Sequence, residues 1–177
     1  PSNRPGIKKD MNEITKLISG FRSFREENFA DNRSRFQDLV RRGQSPRIMI
    51  IACSDSRVDP AIVTGAEPGD LFVVRNVANL VPPCQGDGHH HGTSAALEYA
   101  VRSLGVAHII VFGHACCGGI RALVESGVES ENGEPGATNA ANFVKSWMEI
   151  ARPAYDEVVR AMPGAGVADQ AAACAKP

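Results

Sequence analysis

No stretch of this sequence is apolar for long enough to cross a bilayer. Apolar stretches such as residues 48–53 and 109–112 fall far short of the roughly 20 residues that a spanning helix needs, so no membrane partner is expected. A basic excess is missing too: 19 Lys and Arg stand against 20 Asp and Glu, and the basic residues are scattered rather than gathered in a stripe. A phosphate backbone would find no electrostatic footprint here, which removes nucleic acid from the expected partners. Residues 1–10 lack the apolar core of a secretory signal and read as a tether, so the cytoplasm is the expected compartment. The cysteines (Cys53, Cys84, Cys116, Cys117 and Cys174) number five. An odd count excludes an exhaustive disulfide framework and moves metal or reactive roles up. No internal repeat or second core is apparent.

What is present reads as an α/β protein. Residues 7–29 carry Ile7, Met11, Ile14, Ile18, Phe21 and Phe24 at three-and-four spacing, an amphipathic helix whose stripe needs a surface to cover. Asp31 or Asn32 can cap a second helix bearing Phe36, Leu39 and Val40, with Gly43 closing it in the left-handed conformation and Gln44, Ser45 and Pro46 turning the chain. Three short runs rich in β-branched residues follow, at 47–52, 71–75 and 108–113, each reading as a strand buried on both faces of a parallel sheet. The helical pattern over 93–104 supplies the crossover that parallel strands require. Beyond Gly118 the reading is a short helix over 120–125, a surface loop over 126–137 and a helix over 139–162 broken at Pro153. The expected organisation is a tether and helical arm in 1–30 and an α/β catalytic domain in 31–177, with a central, mostly parallel sheet flanked by helices.

Two segments carry chemistry. The first strand runs into Cys53-Ser54-Asp55-Ser56-Arg57, and 61 residues after Cys53 the third runs into His114-Ala115-Cys116-Cys117-Gly118-Gly119. In an open parallel sheet, ligands bind beyond the carboxyl ends of the strands where the connections diverge, and a strand order of 2-1-3 brings both segments to that crevice. Two thiolates and one imidazole suffice to hold Zn²⁺ while leaving a fourth position open, the mark of a catalytic rather than a structural site. Taken singly, Cys53 and Cys117 are as well explained as small buried hydrophobes. A histidine three residues before Cys117 and an Asp-x-Arg pair after Cys53 make the metal site the better reading.

The pattern C-x-D-x-R followed by H-x-x-C-G-G resembles the zinc signature of β-class carbonic anhydrases, and the likeness extends through residues 54–58, 72–76, 79–83 and 92–101. The resemblance implies zinc ligation by Cys53, His114 and Cys117, with the family spacing selecting Cys117 over Cys116. It implies that Asp55 and Arg57 form a carboxylate–guanidinium pair beside the metal. It further implies that Gln44 hydrogen-bonds substrate, often from a neighbouring subunit, that Phe72, Val77 and Tyr99 line the carbon dioxide pocket, and that Gly118 offers a backbone donor. The activity implied is interconversion of carbon dioxide and bicarbonate by a homodimer or homotetramer. For Phe72, Val77 and Tyr99 the alternative is ordinary core packing. Hydrolysis of carbonyl sulfide or carbon disulfide on the same pattern is the neighbouring reading, and a non-catalytic zinc scaffold closed by Asp55 is the more distant one.

Other features are set aside. His89-His90-His91 reads as a solvated loop. The run Gly86-x-Gly88-x-x-x-Gly92 misses the dinucleotide-binding spacing by one residue and follows prolines rather than a strand. Ile50 stands where the family's bicarbonate-inhibited members carry Trp, so control by bicarbonate in a side pocket is not expected. Family members continue through a further helix and strand, so the expected catalytic domain lacks that C-terminal segment.

Overall fold

Residues 7–86, 89–131 and 143–175 are described by the structure, a computed structural model, and the chain divides into two units, 1–44 and 45–177. In the first unit, helix α1 (Ile7–Ser23) passes through a π turn (Phe24–Asn28) into the single turn α2 (Phe29–Asp31) and then α3 (Arg33–Arg42). The helix expected over 7–29 is therefore interrupted. A π turn inserts one residue into the helical repeat, and here both Phe24 and Phe29 end up against Phe36 of α3, with ring centroids 5.9 and 5.0 Å apart. Ile14, Leu17, Ile18 and Phe21 remain exposed along α1. Gly43 ends α3 at φ 79° and ψ 174°. That is not the left-handed cap the sequence suggested, but an extended positive-φ conformation that only glycine adopts readily.

The second unit is built on a three-stranded parallel sheet of order β2-β1-β3, comprising β1 (Ile48–Cys53), β2 (Leu71–Asn76) and β3 (His108–Phe112). Only the central strand behaves as expected: Met49 through Cys53 are all buried, whereas Val73 on β2 and Ile109, Ile110 and Val111 on β3 are exposed. The edge strands each have one neighbour, and an apolar run reads the same whether or not its own chain covers it. Helix α4 (Pro60–Thr64) joins β1 to β2; its N-cap Asp59 accepts from the amides of Ala61 and Ile62, and Pro60 occupies the first turn, where a missing N–H costs nothing. Helix α5 (Gly92–Glu98) and a π turn (Tyr99–Leu104) form the crossover to β3, packing Ala96, Leu97 and Ala100 over Met49 and Ile51. His91 is the N-cap of α5, and the other two histidines precede it in irregular backbone.

After β3 comes α6 (Gly118–Glu131), then α7 (Phe143–Met148), a short 3₁₀ turn (Glu149–Ala151), α8 (Arg152–Ala161) and α9 (Val167–Cys174). Helix α6 runs six residues beyond the expected end at 125, into what the sequence suggested was loop. The remainder of that loop, 132–137, and the start of the next expected helix, 139–142, lie outside the described residues. The break expected at Pro153 is present: the 3₁₀ turn separates α7 from α8, and Pro153 falls in the first turn of α8. A second core cluster joins Ile120, Leu123 and Val124 of α6 to Met148, Ala151 and Tyr155, and it reaches Cys53, Ala78 and Cys117 at the sheet end. No described helix is long and apolar enough to cross a membrane.

Candidate metal centre

Parallel register aligns Cys53 with Asn76 on one side and Ala52 with Phe112 on the other, so the loops leaving β1 and β3 emerge side by side. Beyond β2, Asn76 staples its own turn: its amide donates to the Leu80 carbonyl at 2.8 Å while its side-chain oxygen accepts from the Leu80 amide at 2.8 Å. That turn holds Ala78 and Asn79 at positive φ and seats the buried Ala78 in the core beside Cys53 and Cys117. Helix α6 starts on this turn. A Cβ on Gly119 would lie 2.8 Å from Val77 Cγ1, 3.1 Å from Ala78 Cβ and 3.3 Å from Met148 Sδ, whereas one on Gly118 would meet open space. The second glycine of the pair thus permits the close approach that brings Cys117 to the sheet end. Gly119→Ala is expected to cost about 1–3 kcal/mol through overpacking and to lower the melting temperature measured by circular dichroism, with Gly118→Ala near wild type.

The sequence-predicted ligands converge. One ligand atom each from Cys53, His114 and Cys117 lies within 4.8 Å of the others, and among the described residues no other group of three His, Cys, Asp or Glu does so. The two sulfurs stand 3.9 Å apart and all five cysteines are free. A tetrahedral centre with metal–sulfur bonds of about 2.3 Å spaces two thiolates by roughly 3.8 Å. His114 Nδ1 lies 2.9 Å from the Ala115 carbonyl. A carbonyl can only accept, so this contact puts the proton on Nδ1 and leaves Nε2 with a free lone pair. That Nε2 is buried and has no hydrogen-bond partner. An orphaned imidazole nitrogen facing two thiols is costly unless something electrophilic sits between them, and the donor set suits Zn²⁺.

Asp55 and Arg57 close round this cluster. Asp55 accepts from the Arg57 amide at 2.9 Å and from the guanidinium Nε at 2.8 Å and Nη2 at 2.7 Å. The guanidinium holds the Asp55 carboxyl well below the usual carboxylate range, with the Arg57 amide adding to the effect, and the ion pair raises Arg57 in return. Arg57 Nη2 also donates to the Cys116 carbonyl at 3.1 Å, bridging the two loops. Cys116 itself is exposed and adopts φ 56°, a strained backbone that turns this carbonyl toward Arg57. Burial pushes the Cys117 thiol up, while the amides of Ile120 and Gly119 at the start of α6 pull it down. Asp55 Oδ2 lies 3.8 Å from His114 Nε2.

The remaining expected site residues are dispersed. Val77 is beside the cluster through Gly119, and its carbonyl accepts from Trp147 Nε1 at 2.7 Å. Phe72 and Tyr99 pack on each other with centroids 5.9 Å apart. Phe72 is level with Met49, four residues before Cys53, which along a strand is roughly 13 Å from the cluster. Gln44 is exposed at the end of the first unit. Sequence reasoning missed the roles of Asn76, Trp147 and Arg75. The one available signal for Arg75 is a charge at the end of an otherwise apolar strand.

Fold and cluster together define an α/β metal protein with its donor set at the carboxyl end of a parallel sheet. The carbonic anhydrase family model matches residues 48–176. Beta carbonic anhydrase 3 of Arabidopsis thaliana is 34% identical over 166 residues, covering 94% of this chain and 61% of that protein. The structure of the β-carbonic anhydrase CcaA is similar with a TM-score of 0.79 at 34% identity, covering 93% of this chain and 69% of that one. A β-carbonic anhydrase from Sordaria macrospora, one of two described as tetrameric, gives 0.70 at 28% identity, covering 93% and 75%. This chain belongs to the β-carbonic anhydrase family.

Proposed function

We propose that the protein catalyses the reversible hydration of carbon dioxide to bicarbonate, with Zn²⁺ held by Cys53, His114 and Cys117. The observation that carries this reading is the buried, unpartnered Nε2 of His114 facing two free thiols. Zinc, when bound, lowers the pKa of a water and so supplies a nucleophile near neutral pH. The chain's own residues do the rest. Asp55, kept anionic by Arg57, can only accept hydrogen bonds, so on the open side of the cluster it orients the attacking water with its lone pair toward carbon. Carbon dioxide is linear and uncharged and needs a desolvated slot, toward which Val77 contributes apolar surface. The Gly118 amide is the nearby backbone donor.

The assembly is proposed to be a homodimer or homotetramer in which a second copy completes each site. Phe72 and Tyr99 are too far along the sheet to serve the cluster of their own chain, and Val73, Tyr99, Val101, Ile109 and Val111 form exposed apolar surface. Gln44, Phe72 and Tyr99 then act on the neighbouring copy's site, in keeping with the tetrameric Sordaria relatives. A cytoplasmic location suits the free cysteines, since a reducing compartment keeps thiols available.

The test is metal content by mass spectrometry beside stopped-flow carbon dioxide hydration on one sample. One zinc per chain, with activity lost to a chelator and restored by zinc, is the expected result. Zinc-loaded protein that is inactive on carbon dioxide but releases sulfide from carbonyl sulfide or carbon disulfide would replace the substrate. Absence of zinc would overturn the reading altogether.

A further inference from the structure

We propose that Arg75 is a positioning residue of the metal centre, bracing from behind the loop that carries Cys53 and Asp55; the role rests on the zinc reading above. Arg75 is the penultimate residue of β2, in register with Ala52, so it leaves the sheet beside the end of β1. All three of its guanidinium nitrogens are engaged. Nε donates to the Cys53 carbonyl at 3.0 Å, Nη2 to the Asp55 carbonyl at 2.7 Å and Nη1 to the Asp59 carboxylate at 3.1 Å. The two carbonyls belong to Cys53 and to Asp55, with only Ser54 between them. One planar side chain therefore fixes the backbone on both sides of Ser54. Asp59 carries the brace onward, since its other oxygen caps α4.

The arrangement divides the work between two arginines. Arg57 holds the Asp55 side chain and the Cys116 carbonyl, whereas Arg75 holds the Asp55 and Cys53 backbone. A guanidinium suits this task because its donors diverge in one rigid plane and bind carbonyls more firmly than a neutral donor does. Lysine has a single charged nitrogen and cannot span both carbonyls in the same way. The Arg75 side chain is only 29% exposed, which separates it from an arginine that merely solvates a strand end. Loss of the brace leaves Cys53 tethered by β1 and the Ser54 amide donating to the Asn76 carbonyl at 2.8 Å, but removes the clamp on the Cys53 and Asp55 carbonyls. The thiolate and the Asp55 carboxylate then lose their fixed relation to His114.

The test compares zinc-loaded wild type with Arg75→Met, Arg75→Lys and Asp59→Asn at a temperature where all are folded. Zinc release into a chelating dye and the absorption bands of the cobalt-substituted proteins are both measured. Arg75→Met is expected to release zinc about 10–100 times faster and to shift the cobalt bands, with Arg75→Lys intermediate. Asp59→Asn keeps the carbonyl contacts and a capping side chain, so its release is expected within about twofold of wild type, as for an exposed ion pair. Wild-type release and an unshifted spectrum in Arg75→Met overturn the role, even if that variant melts earlier. Should Arg75→Met not fold, Arg75→Lys decides, and identity with wild type in both readouts overturns the role. Failure of wild type to bind zinc overturns the metal reading itself, a result distinct from zinc-loaded wild type beside unaffected variants.

Discussion

Cys53→Ser and His114→Ala are expected to purify without zinc and to hydrate carbon dioxide no faster than the uncatalysed reaction, while Cys116→Ser retains both metal and activity. Structural zinc sites bind with about 10–16 kcal/mol; on that scale one of three protein ligands carries roughly 3–5 kcal/mol, or about two to four orders of magnitude in affinity. Cys53 and Cys117 are buried with their sulfurs 3.9 Å apart, a spacing that suits one shared metal. Cys116 is adjacent in sequence but exposed, and its known contact is through its carbonyl, which serine also has. Zinc content and stopped-flow rates on the same preparations check the expectation. Stoichiometric zinc in Cys53→Ser, or its loss in Cys116→Ser, would mean that the ligand set is wrong.

Asp55→Asn and Arg57→Ala are expected to keep zinc but lose about 10–100-fold in turnover, the usual penalty for removing a partner that orients a metal site. The two fail for different reasons. Asparagine offers a donor where only an acceptor works, so the water is turned the wrong way. Removing Arg57 lets the Asp55 carboxyl return toward its ordinary value, still ionised at neutral pH, but frees it to take the open position of the cluster. Water entering that position gives up a proton and Asp55 does not, so the Arg57→Ala deficit should deepen as the pH falls. The folding contribution runs separately: because the folded pKa is depressed, it is present above the unfolded value near 4 and lost as pH falls below it. Rate profiles from mildly acidic to alkaline pH, with zinc measured alongside, distinguish the two. A fully active Arg57→Ala would remove Asp55 gating from the mechanism.

The central strand and the donor set were legible because residue type and spacing mark each of them. Residues 48–53 are apolar and buried by neighbours on both sides, and Cys53, His114 and Cys117 announce themselves by residue type and spacing. Helix α6 was cut short in the reading because Ser126 and Gly127 look like loop formers. In the fold the Ser126 hydroxyl donates back to the Leu123 carbonyl at 2.8 Å, and the missing Gly127 side chain leaves a notch that the Tyr155 ring fills. Helix α9 escaped notice because four of its eight residues are alanine and its one buried residue is the polar Gln170, so its packing against α6 and α8 is decided by tertiary context. Arg75 was opaque for the opposite reason. A lone arginine at a strand end looks solvated until the carbonyls it meets, 20 and 22 residues back, are known.

The open flank that β3 keeps among the described residues bears on how copies of this chain meet. Among the described residues His108-Ile-Ile-Val-Phe112 pairs only with β1; it contains no proline or acidic residue and is exposed along most of its length. Such an edge is a template for any other extended strand. Wherever that flank is left bare, correct association competes with strand-to-strand accretion. Both outcomes speed up with concentration, so abundant synthesis in a foreign host should fill inclusion bodies, and slow synthesis in the cold should favour soluble protein.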